Sequence, residues 1–130
     1  MSTPAVATAV LTDERNTWVS GNKYFAAGTF SISADPAVYV TGGIAASLFL
    51  PLIKATFTPL LVWVEGQGSG TSGKLFVYRY IPGADASLGL LKILEQDGST
   101  GGLVEIGESA IPADVSTDTI SFYAIFNGML

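Results

Sequence analysis

Apolar and polar positions alternate with a period of two along most of this chain, which is the spacing of half-buried β-strands. The clearest case is residues 119–127, where Ile120, Phe122, Ala124 and Phe126 alternate with Ser121, Tyr123 and Ile125. Over residues 60–65, Leu60, Val62 and Val64 share one face, and Leu61, Trp63 and Glu65 share the other. Over residues 74–81, Phe76, Tyr78 and Tyr80 oppose Leu75, Val77, Arg79 and Ile81. Residues 23–33 carry Phe25, Ala27, Phe30 and Ile32, with a one-residue slip at Gly28 that predicts a β-bulge. Shorter strands are expected over 37–41, 88–95 and 103–106. Residues 44–54 fit a buried helical turn or a strand. Pro51 and Pro59 forbid one long helix, and the alternation of Leu48 and Leu50 with Phe49 favours a strand.

The punctuation between these segments is that of β-turns. Asp35-Pro36, Gly42-Gly43 and Pro82-Gly83 mark tight reversals. The Gly/Ser-rich residues 66–73 read as a hairpin loop joining the strands on either side, and 97–102 as a second one. Residues 111–116 read as one helical turn. Eight or nine short strands without a sustained helical period predict a single-domain antiparallel β-sandwich, jelly-roll-like, over residues 17–130. Residues 1–16 read as an N-terminal arm, with small residues, Pro4 and a polar cluster at its end. Its residues 5–11 fit a short helix or an extended strand. If the arm lies on a neighbouring subunit, Val6, Val10 and Leu11 are its anchors; if it is frayed, they anchor nothing.

Composition narrows the function. At 130 residues one domain is expected. Eleven acidic and six basic residues give a formal charge of −5, which argues against a nucleic-acid partner. With no cysteine and no histidine, thiol nucleophiles, histidine bases, zinc fingers, haem and iron–sulfur ligation are excluded. No cofactor and no metal ligand are expected. Only 13% of residues are charged, against about 25% in an ordinary globular domain, while 48% are hydrophobic. A small chain cannot hide all its apolar groups, so other copies or a partner are expected to cover part of the surface. The most apolar stretch, 44–61, is interrupted by Pro51, Lys54 and Pro59, so neither a spanning helix nor a membrane partner is expected. The first eleven residues carry no basic residue and do not read as a signal peptide, so synthesis in the cytoplasm is expected.

The candidate chemistry is sparse. Paired carboxylates run glycoside hydrolysis, and the pairs here are Glu105 with Glu108, and Asp114 with Asp118. Three residues apart on a strand, the first pair points to opposite faces; the second suits a cap and a strand start. Asp97-Gly98-Ser99 is a fragment of a calcium loop without the following acidic series. The Gly-rich residues 66–73 are followed by Lys74-Leu75 and a strand, not by the Lys-Ser/Thr and helix of a phosphate loop. Trp63, beside Glu65, and Tyr123, on the outer face of the last strand, are the best interface candidates. No catalytic residue is expected. A small hydrolase using Glu105 or Asp114 would need an acidic pocket with a raised carboxyl pKa. A carbohydrate-binding β-sandwich would need Trp63, Tyr78 or Tyr80 exposed in a groove.

From Gly42 to Phe126 the chain resembles small tailed-bacteriophage structural proteins, the capsid decoration or cement proteins. The resemblance rests on Gly42-Gly43 leading to Leu48 and Leu50, then Pro59, Val62, Val64 and Gly66 before Gly73, Leu75, Tyr78, Tyr80, Pro82 and Gly83. It closes on Ala110, Pro112, Ala113, Val115, Ser116, Asp118, Ile120, Phe122, Ala124 and Phe126. The loop 66–73 is longer than in that group. The resemblance implies a compact β-domain, a homotrimer, that sits on the outer surface of the virion capsid. It implies the major capsid protein of the same phage as partner, with neighbouring shell subunits tied together. It implies no catalytic residues.

Overall fold

The computed structural model describes residues 3–12, 18–20, 22–50, 53–67, 76–96 and 101–128, with the backbone alone for 18–20. Among them are nine strands and one helical turn: β1 Val6–Leu11, β2 Trp18–Ser20, β3 Lys23–Ile32, β4 Ile44–Ser47, β5 Thr58–Gly66, β6 Phe76–Pro82, β7 Gly89–Gln96, β8 Leu103–Glu105, α1 Ala113–Ser116 and β9 Ile120–Asn127. They form one mixed sheet in the order β5-β9-β3-β1-β4-β7-β6, with β2 paired to β3 and β8 to β7. The sheet curls until it is nearly closed, so the all-β expectation holds. Every ladder is antiparallel except β1–β4.

The strand with the cleanest alternation takes the most demanding place. β9 pairs with β3 on one side and β5 on the other. Its Ile120, Phe122, Ala124 and Phe126 are all buried, as the sequence predicts. They meet Tyr24, Ala26, Phe30 and Ile32 of β3, Tyr78 and Tyr80 of β6, and Leu91 and Ile93 of β7 in a single core. Phe30 is its aromatic hub, with ring centroids 5.0 Å from Phe122 and 6.5 Å from Tyr80. Each such large apolar side chain contributes roughly 1.5–3 kcal/mol by leaving water.

Four expectations are corrected. First, β3 runs without a slip: Tyr24, Ala26, Gly28, Phe30 and Ile32 face inward, so Phe25 and Ala27 face outward. Gly28 marks a close approach instead of a bulge, because a side chain there would collide with the Val10 carbonyl and the Phe122 ring. Second, the arm is not separate from the domain. Val6–Leu11 is an interior strand, antiparallel to β3 and parallel to β4, because Ala5, Ala7 and Ala9 are small enough to lie against the core. The polar cluster at residues 13–16 lies outside the described residues. Third, residues 37–41 do not make a full strand. Val38 bridges Pro4 and Ala110, and positive φ at Gly42 and Gly43 then turns the chain into β4. Beyond β4, Leu48 and Leu50 are buried and Phe49 is exposed, as their alternation predicts.

The fourth correction concerns the hairpin expected around residues 66–73, of which 68–73 lie outside the described residues. Its two strands do not pair over the described residues: β5 pairs with β9 and β6 with β7. They run side by side as the two ends of the sheet. Side chains join this seam. Tyr78 donates its hydroxyl to Asp118 Oδ2 at 2.9 Å, and the Gln67 N–H donates to Asp118 Oδ1 at 3.0 Å. The Tyr78 ring packs so close beneath Gly66 that a side chain there would overlap it.

Candidate interaction surface

The outward face of β5–β9–β3 carries an apolar patch. On β5, Pro59, Val62 and Val64 turn inward, which leaves Leu61, Trp63 and Glu65 outward. A register shift between Pro59 and Leu61 turns Leu60 outward as well, so it does not share the face of Val62 and Val64 as expected. Trp63 is 60% exposed and Leu61 55%. The ladders set Leu61 beside Ile125 beside Phe25, and Trp63 beside Tyr123 beside Ala27. The two aromatic residues singled out from the sequence are therefore direct cross-strand neighbours, a pairing that stabilises a sheet face by itself. Tyr123, Ile125 and Phe25 are partly exposed.

The opposite stretch of wall carries a groove of about 600 Å³. Val6, Ala45, Leu90 and Ile81 stand in one register row across β1, β4, β7 and β6. Phe49 (56% exposed) and Leu88 (55%) add walls, and Ala45 and Gly89 keep the middle low. The next outward position on β7 and β6 places Lys92 directly opposite Arg79.

Of the predicted anchors, Val6 lines this groove, and Val10 is exposed on the outer face of β1 opposite Thr29. Leu11 is corrected: it packs against the core, because it shares the inward parity of Ala7 and Ala9. Val6 and Val10 belong to a strand fixed within this molecule, so they are not anchors of a loose arm. Phe49, Leu88 and Leu90 were not among the sequence candidates. For Phe49 the signal was present, since Leu48 and Leu50 flank it on the buried parity. For Leu90 it was not, because Leu90-Leu91 gives no parity.

The carboxylates hold the fold together where they were considered for chemistry. Glu105 Oε2 accepts the Tyr39 hydroxyl at 2.5 Å and the Gly42 N–H at 2.7 Å, and Glu108 Oε1 accepts the Thr41 N–H at 3.2 Å. Both thus fasten the turn before β4 and do not point to opposite faces. The Tyr39 hydroxyl holds Glu105 below the usual carboxylate range, with help from the Gly42 N–H. Thr41 does the same for Glu108, and the Ser87 hydroxyl for Asp85. A general acid needs the opposite shift. Asp118 joins the seam, and Asp114 lies in the first turn of α1. The fragment Asp97-Gly98-Ser99 lies outside the described residues. Among the described residues no three His, Cys, Asp or Glu side chains cluster as metal ligands, and no helix is long and apolar enough to cross a membrane.

Tyr78 and Tyr80, considered for sugar stacking, are buried, because β6 turns them into the core. Desolvation raises the pKa of both, and of Tyr39; for Tyr80 the value is pushed up to about 12. Trp63 alone of that trio stands outside. No family model, no curated protein and no solved structure matches this chain.

Proposed function

We propose that this chain is a structural protein of a virion, a homotrimer that decorates the icosahedral shell and stabilises it by bridging neighbouring major capsid subunits. One observation carries the reading: the outer wall of the barrel presents large apolar side chains in register, centred on Trp63 and Tyr123. Aromatic and aliphatic side chains set among few charges are the composition of an interface centre. The sequence resemblance points the same way, and the chemistry of a cement protein is broad contact with no reaction. The test is co-sedimentation of the purified protein with expanded and with precursor shells of a tailed phage that carries this gene. Binding to the expanded shell alone is expected, weakened at least tenfold when Trp63→Ala and Tyr123→Ala together remove the centre of the patch. A protein that ignores the expanded shell is not a cement protein.

A second reading keeps one observation. Trp63 and Glu65 edge a cleft of about 320 Å³ that runs between β5 and β6. An exposed indole beside a carboxylate is a sugar-stacking arrangement, and binding on a glycan array that Trp63→Ala abolishes would favour a carbohydrate-binding surface.

A further inference from the structure

The ridge on β5 and the groove on the opposite wall share one pattern. On the ridge, Trp63 and Glu65 are two residues apart on one strand face, about 6.8 Å. Beside the groove, Ile81 and Arg79 are also two residues apart, and so are Leu90 and Lys92. Apolar is followed by anionic on the ridge, and apolar by cationic at the groove. Arg79 and Lys92 stand directly opposite each other, a like-charge arrangement that costs stability unless an anion lies across it. Lys92 acts on Glu105 on its β8 side, whereas Arg79 stands on the far side of β7 from that carboxylate.

We propose that the β5 ridge of one copy seats in the β1–β4–β7–β6 groove of a second copy. Trp63 enters the hollow over Ala45, between Val6, Phe49, Leu88 and Leu90. Glu65 then lies across Arg79 and Lys92, and Leu61 extends the apolar contact at the other end. Ridge and groove are different surfaces, so the contact is head-to-tail and repeats until a ring closes. This deepens the assembly reading above: it names the surfaces through which copies meet, and leaves Tyr123 and Ile125 at the margin for the shell.

A mixing experiment tests it. Trp63→Ala removes the ridge, and Ala45→Glu fills the groove with a like charge for Glu65; both positions are exposed, and a cooperative thermal transition confirms that each variant folds. Sedimentation equilibrium is expected to show wild-type oligomers. Each variant alone is expected to associate at least about 30-fold more weakly, as for an anchor residue. An equimolar mixture is expected to form a one-to-one complex, since each variant retains the surface the other lacks. A wild type that stays monomeric at its highest soluble concentration overturns the proposal, as does a mixture of the two variants in which no one-to-one complex forms. Shell binding by a monomeric wild type would leave the shell reading standing and remove this one.

Discussion

Three tyrosines in one core separate what a buried hydroxyl does with a partner from what it does without. Tyr39 donates to Glu105 and also accepts the buried Ile93 N–H at 3.3 Å. Tyr78 donates to Asp118. The Tyr80 hydroxyl is buried beneath Gly89 and has no hydrogen-bond partner among the described residues. Tyr39→Phe is therefore expected to cost about 1–3 kcal/mol, since it strands a buried donor, and Tyr78→Phe about 1 kcal/mol. Tyr80→Phe is expected to leave stability unchanged or raise it. Urea unfolding of the three variants decides, and a destabilised Tyr80→Phe would mean that the hydroxyl has a role in the fold. The pH dependence follows from the same groups. A tyrosine whose folded pKa is raised contributes stability that is whole below its unfolded value of about 10, and loses it as pH rises toward the folded value. Alkaline unfolding is thus expected from about pH 10 upward, with tyrosinate absorbance rising together with loss of structure. At the acid end Glu105, Glu108 and Asp85 have lowered pKa values. Their contribution is whole above about pH 4 and is lost as pH falls through the folded values. Glu105→Gln is expected to flatten that limb, which acid titration followed by circular dichroism would show.

At the scale of elements, the strands legible in the sequence were those whose two faces differ. β9 and β6 carry large apolar side chains on one parity and polar or smaller ones on the other, and both adopt the predicted faces. The interior place of β1 was not legible because its buried parity is alanine up to Leu11, at Ala5, Ala7 and Ala9, while the larger Val6 and Val10 point outward. An alanine stripe is weak evidence for burial until the partner that fills the space is known, here the β3 and β4 side chains. Gly28 misled for a related reason, since a glycine inside a strand reads equally as a bulge or as a close approach. Of the candidate surface, Trp63 and Tyr123 could be read from parity, but their pairing could not, because β5 and β9 are far apart in the chain. The groove could not be read at all, since it needs the register of four strands. The place of β1 yields a prediction that the arm reading does not. Removing residues 1–11 takes away a strand bonded on both edges, leaving the main-chain groups of β3 and β4 unpaired. The truncated chain is expected to lose its cooperative thermal transition, whereas loss of a peripheral arm would spare it.

At the scale of the whole molecule, a fold with few charges and an apolar outer wall should associate through area more than through charge. The six basic residues are too few to ring an interface, and the one pairing assigned across it, Glu65 with Arg79 and Lys92, lies at the edge of an apolar contact. Charges at such an edge are screened over about 8 Å at physiological salt, so simple salt removes little of the attraction. Burial of apolar surface responds in the other direction: sulfate strengthens it, and cooling weakens it. Self-association, measured by sedimentation equilibrium, is therefore expected to change by less than about tenfold as sodium chloride rises from low to molar levels. It is expected to tighten in ammonium sulfate and to loosen near freezing. Binding to expanded shells should follow the same pattern, since the patch around Trp63 and Tyr123 carries only Glu65 as a charged outward neighbour on β5. A steep loss of either association in moderate sodium chloride would show that charge holds the assembly together. The apolar wall would then be a consequence of packing within the molecule, and the ridge-and-groove contact would fail with it.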